Sequence, residues 1–239
     1  MPPVPAGGVT IVYEENAQVE ILSPAGQRVL VDVWDTGRLT RPATAADILL
    51  TTHSHADHYD AVWAGTFPGR TLTFREGSIE QGDVTITGIP AAHNEGDPFL
   101  PKDGTDYIFV IDVGGLRIVH FGDCGQAALT PTQMKAVGRV DVAVSQLGNA
   151  YSDVDATNHR DFDLMNQVRP AVLIPTHVDV DVDGLAVVKL AATDWHAAYT
   201  LDPSVTLTRD GLPTTTTALF MGLNAQVYAP IAHLPESDL

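Results

Sequence analysis

Apolar and polar positions along this chain alternate in short runs rather than in long helical stripes. Thr10–Tyr13, Gln18–Leu22 and Arg28–Val33 carry apolar residues at alternate positions, the period of a strand, with turn residues between them. A proline- and threonine-bearing loop (34–46) leads to Ile48-Leu49-Leu50-Thr51-Thr52, which reads as a buried strand. Asp57–Ala64 is predicted to begin a short helix, with Asp57 and His58 near its positive N-terminal end. Strands follow near Thr71–Phe74, Val84–Ile89, Tyr107–Val113 and Leu116–Phe121, the last two joined by a Gly114-Gly115 hairpin turn.

Beyond residue 123 the pattern changes to alternating elements: strand Val140–Leu147, helix Arg160–Val168 and strand Ala171–Ile174. Thr157 or Asn158 is the expected N-cap of that helix. Asp183–Ala198 reads as a further helix, and Val205–Leu207 with Thr215–Phe220 as a terminal hairpin. A β-rich half followed by a strand–helix half predicts an α/β (α+β) chain folded as a four-layer αββα sandwich, two β-sheets flanked by helices. The expectation is one domain over 1–239, with 200–239 a candidate extension. The proline-bearing tail from Tyr228 to Leu239 is a candidate contact in a homo-oligomer.

Composition narrows the class. The chain has 239 residues, 44% of them hydrophobic, enough to bury a full core. Thirty acidic side chains against thirteen basic ones give a formal net charge of −17, which repels phosphate backbones and argues against a nucleic-acid partner. No apolar run reaches membrane-spanning length, and Met1-Pro-Pro-Val-Pro lacks the charged and apolar regions of a secretory signal. With one cysteine, Cys124, no disulfide can form within the chain, and a cytoplasmic location is the expectation.

The candidate chemistry sits where strands run out. His53-Ser54-His55-Ala56-Asp57-His58 packs three imidazoles and a carboxylate into six residues, the ligand types that zinc and similar cations take. In an extended stretch His53 and His55 point to the same side, and a turn after them swings Asp57 and His58 toward a second position. One ion would leave ligands unused, so the spacing favours two. Later strands end in the same way: His93 follows Ala91-Ala92, Asp123 follows Gly122, and His177 follows Pro175-Thr176. His120 and Cys124 read as structural residues. Asn149, Tyr151, Asn158 and His159, in the loop 146–159, are candidates to face a substrate, as is the polar loop Asn94–Asp106.

These residues together resemble the metallo-β-lactamase fold superfamily, through the HSHADH motif at 53–58, His93, the Gly-Asp-Cys at 122–124 and the Pro-Thr-His at 175–177. More narrowly they resemble its small metal-dependent hydrolases, the branch that includes ascorbate-6-phosphate lactonase, with an early strand ending in Asp32. The resemblance implies a first metal held by His53, His55 and His93, a second held by Asp57, His58 and His177, and Asp123 bridging them. It implies zinc by default, with manganese, iron or nickel as alternatives. In such a site, ions roughly 3.5–4 Å apart bring a bridging water to hydroxide near neutral pH, and Asp57 would orient or deprotonate the attacking water. The expected reaction is cleavage of a small ester, lactone or phosphodiester. With only Lys102 and Arg160 near the presumed mouth, a neutral or weakly charged ester or lactone is favoured. The alternatives are a mononuclear iron dioxygenase of this fold, an RNA-processing nuclease and a catalytically silent metal-binding protein.

Overall fold

Two mixed sheets pack face to face in the computed structural model of the protein, which describes residues 7–97, 104–178 and 184–232. The strands of the first half are β1 (Val9–Tyr13), β2 (Val19–Leu22), β3 (Arg28–Val31), β4 (Ile48–Thr51), β5 (Arg70–Thr73), β6 (Gly77–Gln81), β7 (Val84–Ala91), β8 (Asp106–Val113) and β9 (Leu116–His120). Those of the second are β10 (Val142–Gly148), β11 (Val172–Val178), β12 (His196–Thr200), β13 (Ser204–Leu207) and β14 (Thr217–Met221). The helices are α1 (Ala61–Ala64), α2 (Pro131–Val137), α3 (Arg160–Val168), α4 (Gly184–Asp194) and α5 (Gly222–Tyr228). One sheet runs β13-β1-β2-β3-β4-β5, the other β12-β14-β11-β10-β9-β8-β7-β6.

The two-residue period decides which face each side chain serves. Val29 and Val31 of β3, Ile48 and Leu50 of β4, and Phe109 and Ile111 of β8 share one cluster between the sheets, with Val144 of β10 and Ile174 of β11. The intervening residues Val110, Val119, Ala143 and Leu173 face outward and pack under Phe162, Met165, Val187 and Val188 of α3 and α4. On the other flank Leu30 and Leu49 are covered by Trp63 and Phe67, which completes the αββα layering.

Topology brings four strand ends together. β9, β10 and β11 are parallel, and β7 runs with them because both it and β9 pair antiparallel with β8. The carboxyl ends of β7, β9 and β11 therefore lie on one side of the second sheet, and that of β4 meets them from the first. Past β9 the chain turns at Gly122, with φ +57°. A Cβ there would stand 2.5 Å from Asp106 Oδ1 and 2.8 Å from Thr52 Cβ, so this crossing of β4, β8 and β9 requires glycine.

Four expectations are corrected. The helix at 57–64 spans only Ala61–Ala64, because the Asp60 carboxylate accepts from Val62 N and Trp63 N and fixes the start there. Asp57 and His58 lie before it, in a turn closed by His58 N donating to His55 O at 3.0 Å. The segment at 183–198 divides into α4 and β12, Asp183 lying outside the described residues. The terminal hairpin does not form: β13 pairs antiparallel with β1, whereas β14 pairs parallel with β11 and β12. Between them Arg209 binds Gly115 O through Nε at 2.8 Å and Asp141 Oδ2 at 2.7 Å, carrying the chain from one sheet to the other. The N-cap of α3 is His159, in left-handed conformation, while Asn158 Oδ1 accepts from Arg160 N.

Candidate metal centre

The site residues cluster at strand ends: His53, His55, Asp57 and His58 follow β4, His93 follows β7, Asp123 follows β9, and His177 sits near the end of β11. His53, His55, His93 and Asp123 offer ligand atoms within 4.8 Å of one another, and Asp57, His58 and His177 do the same beside them. The imidazoles are close: ring centroids are 4.6 Å apart for His53 and His55, 4.8 Å for His53 and His93, and 5.1 Å for the stacked pair His58 and His177. All seven residues that the motif spacing singled out thus converge at one end of the sandwich. The backbone is strained to achieve it, since His177 takes φ +47° inside β11.

Asp123 stands between the groups, and its two oxygens divide them. Oδ1 lies 3.3 Å from His58 Nε2 and 3.4 Å from His177 Nδ1. Oδ2 lies 3.8 Å from His53 Nε2 and 3.7 Å from His93 Nε2, and accepts from Asn149 Nδ2 at 2.7 Å. Asp57 sits at the rim, its side chain 42% exposed, with Oδ2 3.3 Å from His177 Nε2.

Buried groups behind the histidines fix which nitrogen faces inward. Asp32 Oδ2 lies 2.9 Å from His58 Nδ1, and Asp32 itself is held by Thr52 N at 2.7 Å and Thr52 Oγ1 at 2.8 Å. Asp106, which opens β8 opposite Ala91, places Oδ1 3.3 Å from His53 Nδ1. His53 Nδ1 is also hydrogen-bonded to Thr52 Oγ1 at 3.1 Å, and with Nδ1 engaged in these ways both rings turn a free Nε2 toward the centre. His120 is spent on the frame: its Nε2 pairs with Ala17 O at 3.0 Å, and Gly122 N donates to its Nδ1 at 3.1 Å, holding the turn that carries Asp123. Cys124 is buried and outside both groups, and burial and then the Asp106 charge push its thiol well up.

The electrostatics favour cations. Burial alone would raise Asp123, yet His177 and His58 hold it well below the usual carboxylate range. Burial lowers His58, but Asp123 and Asp32 outweigh it and lift that imidazole well above its ordinary value, and Asp123 lifts His93 likewise. Among the buried polar atoms without a hydrogen-bond partner are His53 Nε2, His58 Nε2, His93 Nε2, His177 Nδ1 and Asp123 Oδ1. Five unsatisfied atoms aimed at one space, all nitrogen or oxygen, fit divalent metals of the zinc type. These seven side chains would hold them.

A depression of about 400 Å³ opens beside the first group, lined by Ser54, Asn94, Asp97, Thr105 and Tyr151 besides the histidines. Of the loop residues expected to face a substrate, Tyr151 lines this depression and is 84% exposed, and Asn149 acts instead through Asp123. Asn158 and His159 do not line it; Asn158 is held in a turn by Asp155 and Asp153 O. Arg160 is paired with Asp153 at 2.8 Å, and Lys102 lies outside the described residues.

The sequence over residues 10–177 matches the family described as beta-lactamase superfamily domain. The chain belongs to the beta-lactamase superfamily. Curated relatives of this chain carry the name UPF0173 metal-dependent hydrolase. One from Methanoregula boonei is 30% identical over 55% of this chain and 67% of its own length, and this chain belongs with that group. One from Thermus thermophilus is 24% identical over 80% of this chain and 95% of its own. Among solved structures, a metallo-β-lactamase superfamily protein of Thermotoga maritima superposes with a TM-score of 0.65 at 19% identity, over 89% of this chain and 99% of that one. The metallo-β-lactamase fold protein YhfI from Bacillus subtilis superposes at 0.52 with 12% identity, over 88% and 96%. These two likenesses place the fold, as the sequence motifs implied.

Proposed function

We propose that this superfamily member is a metal-dependent hydrolase with a dinuclear site, acting on a small uncharged ester or lactone. The observation that carries the two-ion reading is the division of Asp123 between two complete ligand groups, His53, His55 and His93 on one oxygen's side and Asp57, His58 and His177 on the other's. A mononuclear site would use the first group and leave the buried, unsatisfied His58 Nε2 and His177 Nδ1 of the second without purpose. Two bound cations would supply hydroxide near neutral pH and polarise the bond under attack. Asp123 sets the spacing of the groups, and Asp32 and Asp106 hold the rings that face it.

Asp57 has the exposure to meet substrate and the charge to orient water. Its hydrogen bond to His177 brings it down to about 2, so it stays ionised and is a weak proton acceptor, and we assign it the positioning of the attacking water. A small uncharged substrate, and not nucleic acid, fits the surroundings: the net charge is −17, and no cationic side chain lines the depression beside the first group among the described residues.

Protein reloaded with zinc or manganese should hydrolyse lactones or carboxylic esters in preference to phosphodiesters in a panel of all three, and lose that activity on chelation. Turnover unaffected by stripping the metal, or none on any member by protein shown to hold metal, would contradict the reading.

A further inference from the structure

The metal centre has a second flank of different chemistry. Next to His177 lies a depression of about 110 Å³, walled by Val178, Leu223 and Val227 together with the polar Asn16 and Asn224. It shares Tyr13, Glu15 and Leu223 with a neighbouring depression of about 390 Å³ whose wall continues through Val12 and Pro203. The two form one groove that starts at the second ligand group and runs between β1 and α5. Its walls are tied in place: Asn224 Nδ2 donates to Tyr13 OH at 3.1 Å and Pro175 O at 3.4 Å, and Tyr228 OH donates to Val178 O at 3.0 Å. Glu14, Glu15 and Arg38 also line the groove: Glu15 is paired with Arg38 at 2.8 Å, and burial, reinforced by Glu20, raises Glu14 to about 9, which keeps it protonated at neutral pH.

Four large apolar side chains are exposed among the described residues: Val62, Tyr151, Leu201 and Leu223. Two of them flank the centre, Leu223 on the groove and Tyr151 on the polar depression opposite. Exposed apolar surface at a binding cleft marks what the ligand covers. A substrate lying across Asp123 would thus meet Val178, Leu223 and Val227 beside the Glu15–Arg38 ion pair on one side, and hydroxyl, amide and phenol groups and the Asp97 carboxylate on the other.

We infer that the substrates are acyl esters or lactones whose apolar chain occupies the groove beside His177, with Leu223 a specificity-determining residue, while the uncharged alcohol part lies toward Tyr151. This inference rests on the hydrolase reading above and names its substrate class. In the reaction a water oxygen bonds to the acyl carbon as the bond to the alcohol oxygen breaks. One water proton leaves on the alcohol, and the other is released from the carboxylic acid.

The test is a series of p-nitrophenyl esters, from acetate through butyrate and hexanoate to octanoate, hydrolysed by zinc-loaded protein and by Leu223→Asp. Leu223 is 47% exposed, so the variant should fold. In the wild type kcat/KM should rise by up to about fourfold per methylene, the equivalent of about 0.8 kcal/mol each, until the groove is filled. In Leu223→Asp the ratio of hexanoate to acetate should collapse at least tenfold. 2-Octanone should inhibit the wild type more strongly than 2-butanone, with that difference reduced in the variant. Hydrolysis with a flat chain-length profile, or a profile unchanged by Leu223→Asp, would overturn the groove assignment and leave the hydrolase reading intact. No hydrolysis of any ester in the series, nor of any lactone or phosphodiester in the wider panel, by protein shown to hold metal would overturn both.

Discussion

At the scale of single residues, the site is defined by atoms that lack partners and by carboxylates that supply orientation. Asp57 combines exposure with a permanent charge, and its replacement should separate chemistry from folding. Asp57→Asn should lower kcat by roughly 10²-fold or more with an unchanged circular dichroism spectrum, since the amide cannot accept in both directions from the attacking water. Full turnover in that variant would remove Asp57 from the mechanism. Asp106 acts one step further back, through His53. Asp106→Asn should weaken retention of one metal equivalent by roughly 10–100-fold in competition with a chelator and leave the equivalent at His58 and His177 close to its original affinity. Equal affinity at both positions before and after would show that the Asp106 contact with His53 is incidental. The seven candidate ligand positions were legible in the sequence because hard and borderline donors cluster where apolar runs end. Asn149 and Tyr151 were legible only as members of a polar loop, without the distinct roles they take at Asp123 and the depression. Asp106 carries no such signal, because it matters only through the register that sets it opposite Ala91.

At the scale of elements, most strands followed from the period of two, and the departures have local causes. α2 was missed although Thr130-Pro131-Thr132-Gln133 is a helix-start signature. The Thr130 side chain accepts from Gln133 N, and the Gln133 side chain accepts from Thr130 N. β6, with the sequence Gly-Ser-Ile-Glu-Gln, buries only Ile79, so its pattern is too weak to read before its pairing with β7 is known. The apparent terminal hairpin failed because partner choice for β13 and β14 is decided by which sheet edges are open, a non-local matter. The first sheet also holds a buried acidic cluster unconnected with the metal groups. Burial, reinforced by nearby Glu20, raises Glu14 to about 9, so it is protonated in the fold at neutral pH, and its Oε2 accepts from Gln18 Nε2 at 2.6 Å. In the unfolded chain Glu14 ionises near its ordinary value, so the folded state binds more protons between about 4.5 and about 9. Stability from this group is therefore complete at acid pH and falls as pH rises through that window. Glu14→Gln, which keeps a neutral side chain, should flatten the decline in chemical denaturation between pH 5 and 9. An unchanged slope would place the pH dependence elsewhere.

At the scale of the whole molecule, the fold is a device for bringing four strand ends to one place. The first sheet contributes the close-spaced ligands after β4, and the second contributes single ligands after β7, after β9 and within β11, so neither sheet alone holds a complete centre. Layering and ligand order were both readable from the chain, because each depends on local pattern and on donors at strand ends. The flanking surfaces were not, because α5 and the β1–β2 turn meet only after both sheets have closed. Among the described residues no helix is long and apolar enough to cross a membrane. The central claim is that these seven side chains hold two cations, and metal content measured by mass spectrometry on protein purified without chelator tests it most directly. The account predicts about two equivalents per chain, zinc first, falling to about one when His177 is replaced by Ala. One equivalent or none in the wild-type protein, even after reloading, would contradict it.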